Sequence, residues 1–434
     1  MKKAVIVGSG AGGATVAKEL QGVFDVTILE AGKEFRPFSM SLSMVETIKK
    51  MGLMIDEREI QILFPFMKIQ KTEDSMVLVH GMTLGGTTTL ATGNAVRMDR
   101  DLQALGINLD REFEELFREI PITTNHQKRW RPATRRLFEI CQEMKFNPQP
   151  LPKMGDHRQC ANCGRCVLGC EYGAKWDSRN FVDIAKEKGA KVMTGSFVEQ
   201  VVISHGRAAG VTVQRGWRSE FIPADLVILA AGGFGTPLIL EHSGIACEKR
   251  LFVDPVLCVA AEWKGALQNK EISMPFVVQR NGFILSPYFD YVSYFFNKTW
   301  KFRSEDTLGI MIKLADSNTG SVSKKAINKT LTGQDKEKLN MAVHECLEIF
   351  SRLGIREEQT VLGTINAGHP GGMLPLTEED SITFHSRRLP ENLYVADATL
   401  FPSSLGNPPI LTIMAMAKRI SRICISTENS TPYV

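Results

Sequence analysis

No run of apolar residues in this 434-residue sequence is long enough to cross a bilayer; the longest, such as "LVILAAGGFGTPLIL", are broken by glycine and proline. Neither sign of charge prevails. The net charge is +4, and no basic block alternates with aromatics, so a nucleic-acid role is set aside. No internal repeat is visible. The first strand begins at the third residue, so no export signal is expected, and nine cysteines is an odd number for a disulfide framework. A reducing cytoplasm, where thiols stay free for metal, is the expected setting. Hydrophobic residues at 43% and charged residues at 23% describe a soluble globular chain. Its length suits two or three ordinary domains or one large two-domain enzyme.

The chain opens with "KAVIVGSGAGGATVAKELQG", a buried-strand run, a glycine turn and a helix, and "DVTILEAG" follows as a second strand. Gly8, Gly10 and Gly13 form G-x-G-x-x-G between strand and helix, where backbone amides at the helix start face a pyrophosphate. Glu30 ends the second strand, twenty residues after Gly10, where a carboxylate accepts hydrogen bonds from ribose hydroxyls. Together these predict a dinucleotide site, for NAD or FAD. No second unit of this kind is present for a nicotinamide partner.

Further along, "HGMTLGGTTTLATGNAVR" (80–97) reads as a glycine- and threonine-rich loop turning helical. A hairpin is expected at 197–204 and 208–214, and "ADLVILAAGGFGTP" (224–237) reads as another buried strand ending in glycines. The aromatic stretch "FILSPYFDYVSYFF" reads as antiparallel sheet, and a helix is expected over 335–353. Those aromatics suit sheet core and equally an apolar or ring-shaped ligand. The chain closes with a strand, a loop and the apolar helix after "GNPP".

Three stretches, "LGGTTTLATGNAVR", "AAGGFGTPLILEHSGI" and "NPPILTIMAMAKR", resemble the signatures of the glucose–methanol–choline (GMC) oxidoreductases, FAD enzymes acting on alcohols. The resemblance spans the whole chain. It implies an α/β fold: a discontinuous Rossmann-like FAD-binding domain (1–40, 80–100, 155–250 and 385–434) with an inserted antiparallel-sheet α+β substrate domain (41–79, 101–154 and 251–384). It implies non-covalent FAD, since no histidine lies inside the first signature loop. Cofactor contacts carried over by the resemblance are Gly85, Gly86, Thr87, Asn94, Val198, Gly232, Asp397 and Pro408, beside Gly8, Gly10, Gly13 and Glu30. Ala91 stands where the family commonly has asparagine.

Oxidising an alcohol requires a group that takes the hydroxyl proton as hydride leaves carbon. "AGHPGGM" and "GNPPILT" are similar to the His-Pro-x-Gly loop and Asn-Pro helix start of cholesterol-oxidase-type members. That likeness implies His369 as base and Asn407 as the group orienting the substrate oxygen, with His385 as the alternative histidine. Pro408 and Pro409 suit a first helical turn, whose positive end would face charge collecting on a reduced flavin.

One motif stands outside this picture. "CANCGRCVLGC" places Cys160, Cys163, Cys166 and Cys170 in C-x2-C-x2-C-x3-C spacing, as in the ferredoxin run that holds cuboidal iron–sulfur clusters, though Glu171 replaces its proline. Some GMC branches carry a similar stretch. An iron–sulfur cluster, 4Fe–4S by spacing, a structural zinc, and free thiols all remain open. The expectation is an FAD-dependent dehydrogenase. It would oxidise an alcohol, or reduce the carbonyl, and pass electrons through the cluster to a carrier protein. The competing reading is a non-catalytic electron-transfer subunit.

Overall fold

In the computed structural model, which describes residues 1–37, 46, 47, 49 and 56–430, the buried apolar runs form one parallel sheet. Its strand order is Leu393–Val395, Leu226–Leu229, Lys3–Val7, Asp25–Glu30 and Lys191–Thr194. Val5 stands opposite Val227 on one side and Thr27 on the other. Four of these five strands have at least three fully buried residues, because helices cover the sheet. The opening helix Ala11–Glu19 packs against the final helix Ile410–Ser430. Between them Lys418, 1% exposed, meets Glu19 at 2.7 Å and Glu119 at 2.9 Å.

A nine-stranded, mostly antiparallel sheet forms the second layer, centred on Val256–Glu262, Thr307–Leu314, Phe283–Pro287 and Phe276–Gln279. Its side chains alternate as a pleated strand requires. Leu257, Val259 and Ala261 pack with Leu339, Ala342 and Phe350 of helix Gly333–Ser351. Cys258 and Ala260 face a cluster with Phe289, Tyr291 and Tyr294. The architecture is thus the expected α/β fold, a discontinuous Rossmann-like domain with an antiparallel-sheet substrate domain. Most of 41–55 lies outside the described residues. Among the described residues no helix is long and apolar enough to cross a membrane.

Three local expectations change. The stretch 283–296 is strand only to Pro287; Asp290 then accepts from the Val292 amide and caps a helix, Tyr291–Phe296. Tyr291, Tyr294 and Phe295 recur at helical spacing, which an alternating reading of so aromatic a run conceals. All three are buried in core. The helix expected after Gly85 is a single 3-10 turn, Gly86–Leu90, in which Thr88 and Thr89 donate their hydroxyls to Gly85 O and Gly86 O. The hairpin gains a third strand, Arg218–Pro223.

Candidate functional site

The glycine turn, Glu30, Gly232 and Asp397 all lie at the carboxyl ends of parallel strands, where open α/β sheets bind ligands. A Cβ on Gly13 would sit 2.0 Å from Gly8 O, so only glycine allows the helix so close to the strand. A Cβ on Gly10 would meet no protein atom within 4 Å, which leaves the space above the helix start open. That opening is what a pyrophosphate requires, so the turn fits a dinucleotide. Glu30 is buried; Oε2 accepts from the Ser9 amide at 3.1 Å and hydroxyl at 2.6 Å, and Oε1 from Gly32 N at 2.8 Å. Burial raises its pKa despite these bonds. Ser9 also accepts from Gly85 N at 2.9 Å, and Gly86 packs against Gly10, joining the first signature loop to the turn. Thr87 accepts from Gly81 N. Asp397 is buried and takes Gly232 N at 2.9 Å and the Thr236 hydroxyl at 2.6 Å. Val198 is buried in the three-stranded sheet opposite Val213, two residues after Ser196, whose amide donates to Glu30 O at 2.9 Å.

His369 and Asn407 meet through a residue the sequence reading missed. Asp254, 1% exposed, has φ +51, a left-handed backbone that costs a non-glycine residue about 1–3 kcal/mol and clusters at functional sites. Its Oδ2 lies 3.3 Å from His369 Nδ1. Its Oδ1 accepts from the Ser404 hydroxyl and, at 3.2 Å, from Gly406 N, the residue before Asn407. Lys313, 6% exposed, contacts His369 Nδ1 directly and stands 3.9 Å from Asp254. Desolvation, then the Lys313 cation, pushes the His369 imidazole down to about 4, against the pull of Asp254. Desolvation brings Lys313 itself down to about 8, opposed by Asp254 and Asp316. Asn407 is buried, and its Oδ1 accepts from Gln279 Nε2 at 3.0 Å. Pro408 and Pro409 precede the final helix, whose first turn closes with Ile413 N to Pro409 O at 3.0 Å. His385 is elsewhere, bonded to Pro390 O and packed on Tyr394. A lone lysine inside "LGIMIKLADS" was the available signal for Lys313.

The four cysteines line one cavity between the first signature loop and the substrate sheet. Gly164 (φ +69), Gly169 (φ +92) and Asn162 (φ +52) curl the loop back on itself. Among the described residues no three metal-ligating side chains stand together at ligand geometry, so the thiols share a cavity without converging in it. The loop is tied to the flavin signature by a buried cation. Lys175 Nζ donates to Thr89 O and Ala91 O, each at 2.7 Å, and to Cys166 O at 3.1 Å. A second one, Lys153, is fully buried, contacts Asn94 Oδ1 and donates to Ser273 O at 2.6 Å. Asn94 Nδ2 also lies 3.1 Å from Met274 Sδ.

A sheet with a pyrophosphate-shaped glycine turn, beside a histidine of the substrate domain and an asparagine ahead of the last helix, describes a flavoprotein oxidoreductase. The chain belongs to the GMC oxidoreductase family, whose model matches residues 3–258 and whose usual cofactor is FAD. An uncharacterised protein of Methanocaldococcus jannaschii is 27% identical over 96% of this chain and 98% of its own length. A long-chain-alcohol oxidase of Arabidopsis thaliana is 21% identical over 95% of this chain and 67% of its own. The fold matches pyridoxine 4-oxidase from Mesorbium loti with a TM-score of 0.72 at 16% identity, over 97% of this chain and 99% of that one.

Proposed function

We propose that this chain oxidises an alcohol to its carbonyl, or runs the reaction backwards, with His369 and Asn407 at the substrate oxygen. Bound FAD would supply the hydride acceptor, held by Gly8, Gly10, Gly13, Glu30 and the signature loops, including Gly85, Gly86, Thr87, Gly232 and Asp397. The observation that carries the reading is the Asp254 carboxylate, which anchors both the His369 ring and the backbone leading to Asn407. Asp254 and the Lys313 cation both meet Nδ1, and together they fix the imidazole in place. Its low pKa keeps His369 neutral at pH 7, the state a proton acceptor needs. A wire without chemistry would need none of these groups. The alcohol oxidase among the relatives supports the substrate class. The test is anaerobic flavin reduction in His369→Ala and Asn407→Ala, each with FAD bound. Slowing by on the order of 10²-fold is expected, and wild-type rates in both would refute the assignment.

We further infer that the cysteine loop holds an iron–sulfur cluster, through which electrons leave for a carrier protein in a reducing cytoplasm. Support comes from the ferredoxin spacing and from the four thiols lining one cavity beside the flavin loop. Iron, sulfide and zinc analysis of anaerobically prepared protein decides it. One zinc and no iron would make the site structural.

A further inference from the structure

The cysteine loop reaches the surface beside a cluster of positive charge. The stretch "KRWRPATRR" (128–136) holds five cations in nine residues. Arg136 is matched by Glu139 and Glu143 along its own helix. Lys128, Arg129, Arg131 and Arg135 form no ion pair among the described residues. The nearby carboxylates are already matched: Asp156 by Arg158 at 2.8 Å, Glu171 by Arg165 at 3.4 Å, and Glu305 by Lys270 at 2.8 Å. Glu271, the carboxylate that acts on Arg131, is buried and accepts from the amides of Arg131 at 2.6 Å and Ile272 at 2.9 Å. Positive charge is left over at this face.

The cations are tied to the loop. Arg129 Nη1 donates to His157 O at 3.0 Å, and Asn162 Nδ2 donates to Arg129 O at 3.1 Å. Arg131 Nε donates to Lys270 O, and the Lys270 amide would lie 3.2 Å from a Cβ on Gly164. Arg135 Nε donates to Trp130 O at 3.0 Å. Guanidinium groups held in this way lose less freedom when a carboxylate arrives. Beside them Ala161 is exposed and Tyr172 is 44% exposed, both on the cysteine cavity. An apolar centre with a charged rim is the anatomy of a protein interface. Trp130, the aromatic among the cations, is buried and offers no ring for a base to stack on. A second copy of the chain would bring the same cations and be repelled.

We propose that this face docks an acidic protein, and that this protein is the one-electron carrier that takes electrons from the enzyme. That the partner is a carrier rests on the electron-exit reading above; that it is acidic rests on the charges alone. Oxidising one alcohol to its carbonyl releases two electrons and two protons. Two carriers are therefore reduced in turn, and both protons pass to water. Opposite charge speeds each encounter and loses force as salt rises.

The test uses the full-length protein with FAD bound. The probe is the soluble domain of cytochrome b5, an acidic haem carrier, with basic cytochrome c and a DNA duplex as controls. Lys128→Glu and Arg218→Glu change the net charge equally, the first in this face and the second in the three-stranded sheet. Both side chains are exposed, so both variants should fold. Cytochrome b5 should bind less tightly as salt rises. Lys128→Glu should slow its association by about tenfold, and Arg218→Glu should leave it nearly unchanged. No binding of cytochrome b5 at low salt, equal losses in the two variants, or tighter binding of cytochrome c or the duplex overturns the proposal. In a second arm, protein photoreduced without oxygen is mixed with oxidised cytochrome b5 and haem reduction is followed. Binding that Lys128→Glu weakens, with no haem reduction, overturns the electron-exit reading and leaves the acidic docking face standing. Haem reduction at one rate in wild type and Lys128→Glu overturns the docking face and leaves electron exit standing.

Discussion

Replacing Lys313 with methionine removes the cation beside His369 while keeping a side chain of similar length. Lys313 Nζ lies 3.4 Å from His369 Nε2 and closer to Nδ1. At an effective dielectric near 20, two unit charges at that separation repel by about 5 kcal/mol. Asp254, whose Oδ2 lies 3.3 Å from the same ring nitrogen and 3.9 Å from Lys313 Nζ, screens part of this. A net ~3 kcal/mol corresponds to about 2 pH units. The sign follows directly: desolvation first and the Lys313 cation second hold the imidazole down to about 4, so losing the cation lets His369 take a proton at higher pH. The acid limb of the pH profile for flavin reduction should therefore move up by about 2 pH units. At pH 5 the variant should keep roughly a tenth of its pH 7 rate, whereas the wild type keeps nearly all of it. Stopped-flow reduction across pH 4–9, with the His369 ring titrated by NMR, measures both. An unmoved limb and an unmoved ring titration would refute the placement of Lys313 against His369.

Gly13→Ala should lower the melting temperature sharply, because its methyl meets Gly8 O at 2.0 Å, while Gly10→Ala should leave the fold intact and empty the protein of FAD. Equal thermal losses in the two variants would contradict the open cradle above Gly10. Asp254→Asn should fold, since asparagine tolerates a left-handed backbone, yet reduce flavin at least about tenfold more slowly; wild-type kinetics would dismiss the anchor. Lys175→Met leaves the Thr89, Ala91 and Cys166 carbonyls without their donor, at a cost of ~2–4 kcal/mol by urea unfolding. A loss below about 1 kcal/mol would mean water replaces the ammonium freely.

The nucleotide end was legible because its constraints are local. Gly8, Gly10, Gly13 and Glu30 fall within one strand–helix–strand unit, and each demand of the turn selects a residue type. Asp254, Lys313 and Gln279 were not, because no short-range rule links them to His369 or Asn407; they arrive on strands of the substrate sheet or beside them. Asn94 shows a different limit. Its signature position was readable, yet tertiary packing gave its amide to Lys153 and Met274. The aromatic run 283–296 misled because tyrosine and phenylalanine serve strand and helix equally, and only the Asp290 cap decides.

The parallel sheet has a consequence for how the protein comes into being. Its central strand, Lys3–Val7, leaves the ribosome first, while the edge strand Leu393–Val395 and the helix that covers Ala11–Glu19 leave last. At roughly 5–20 residues per second, the glycine turn waits on the order of 20–80 seconds for the elements that bury its helix. Throughout that interval the opening helix exposes the face meant for Leu411, Met414 and Ala415. The nascent chain therefore depends on whatever shields that face until the last helix arrives.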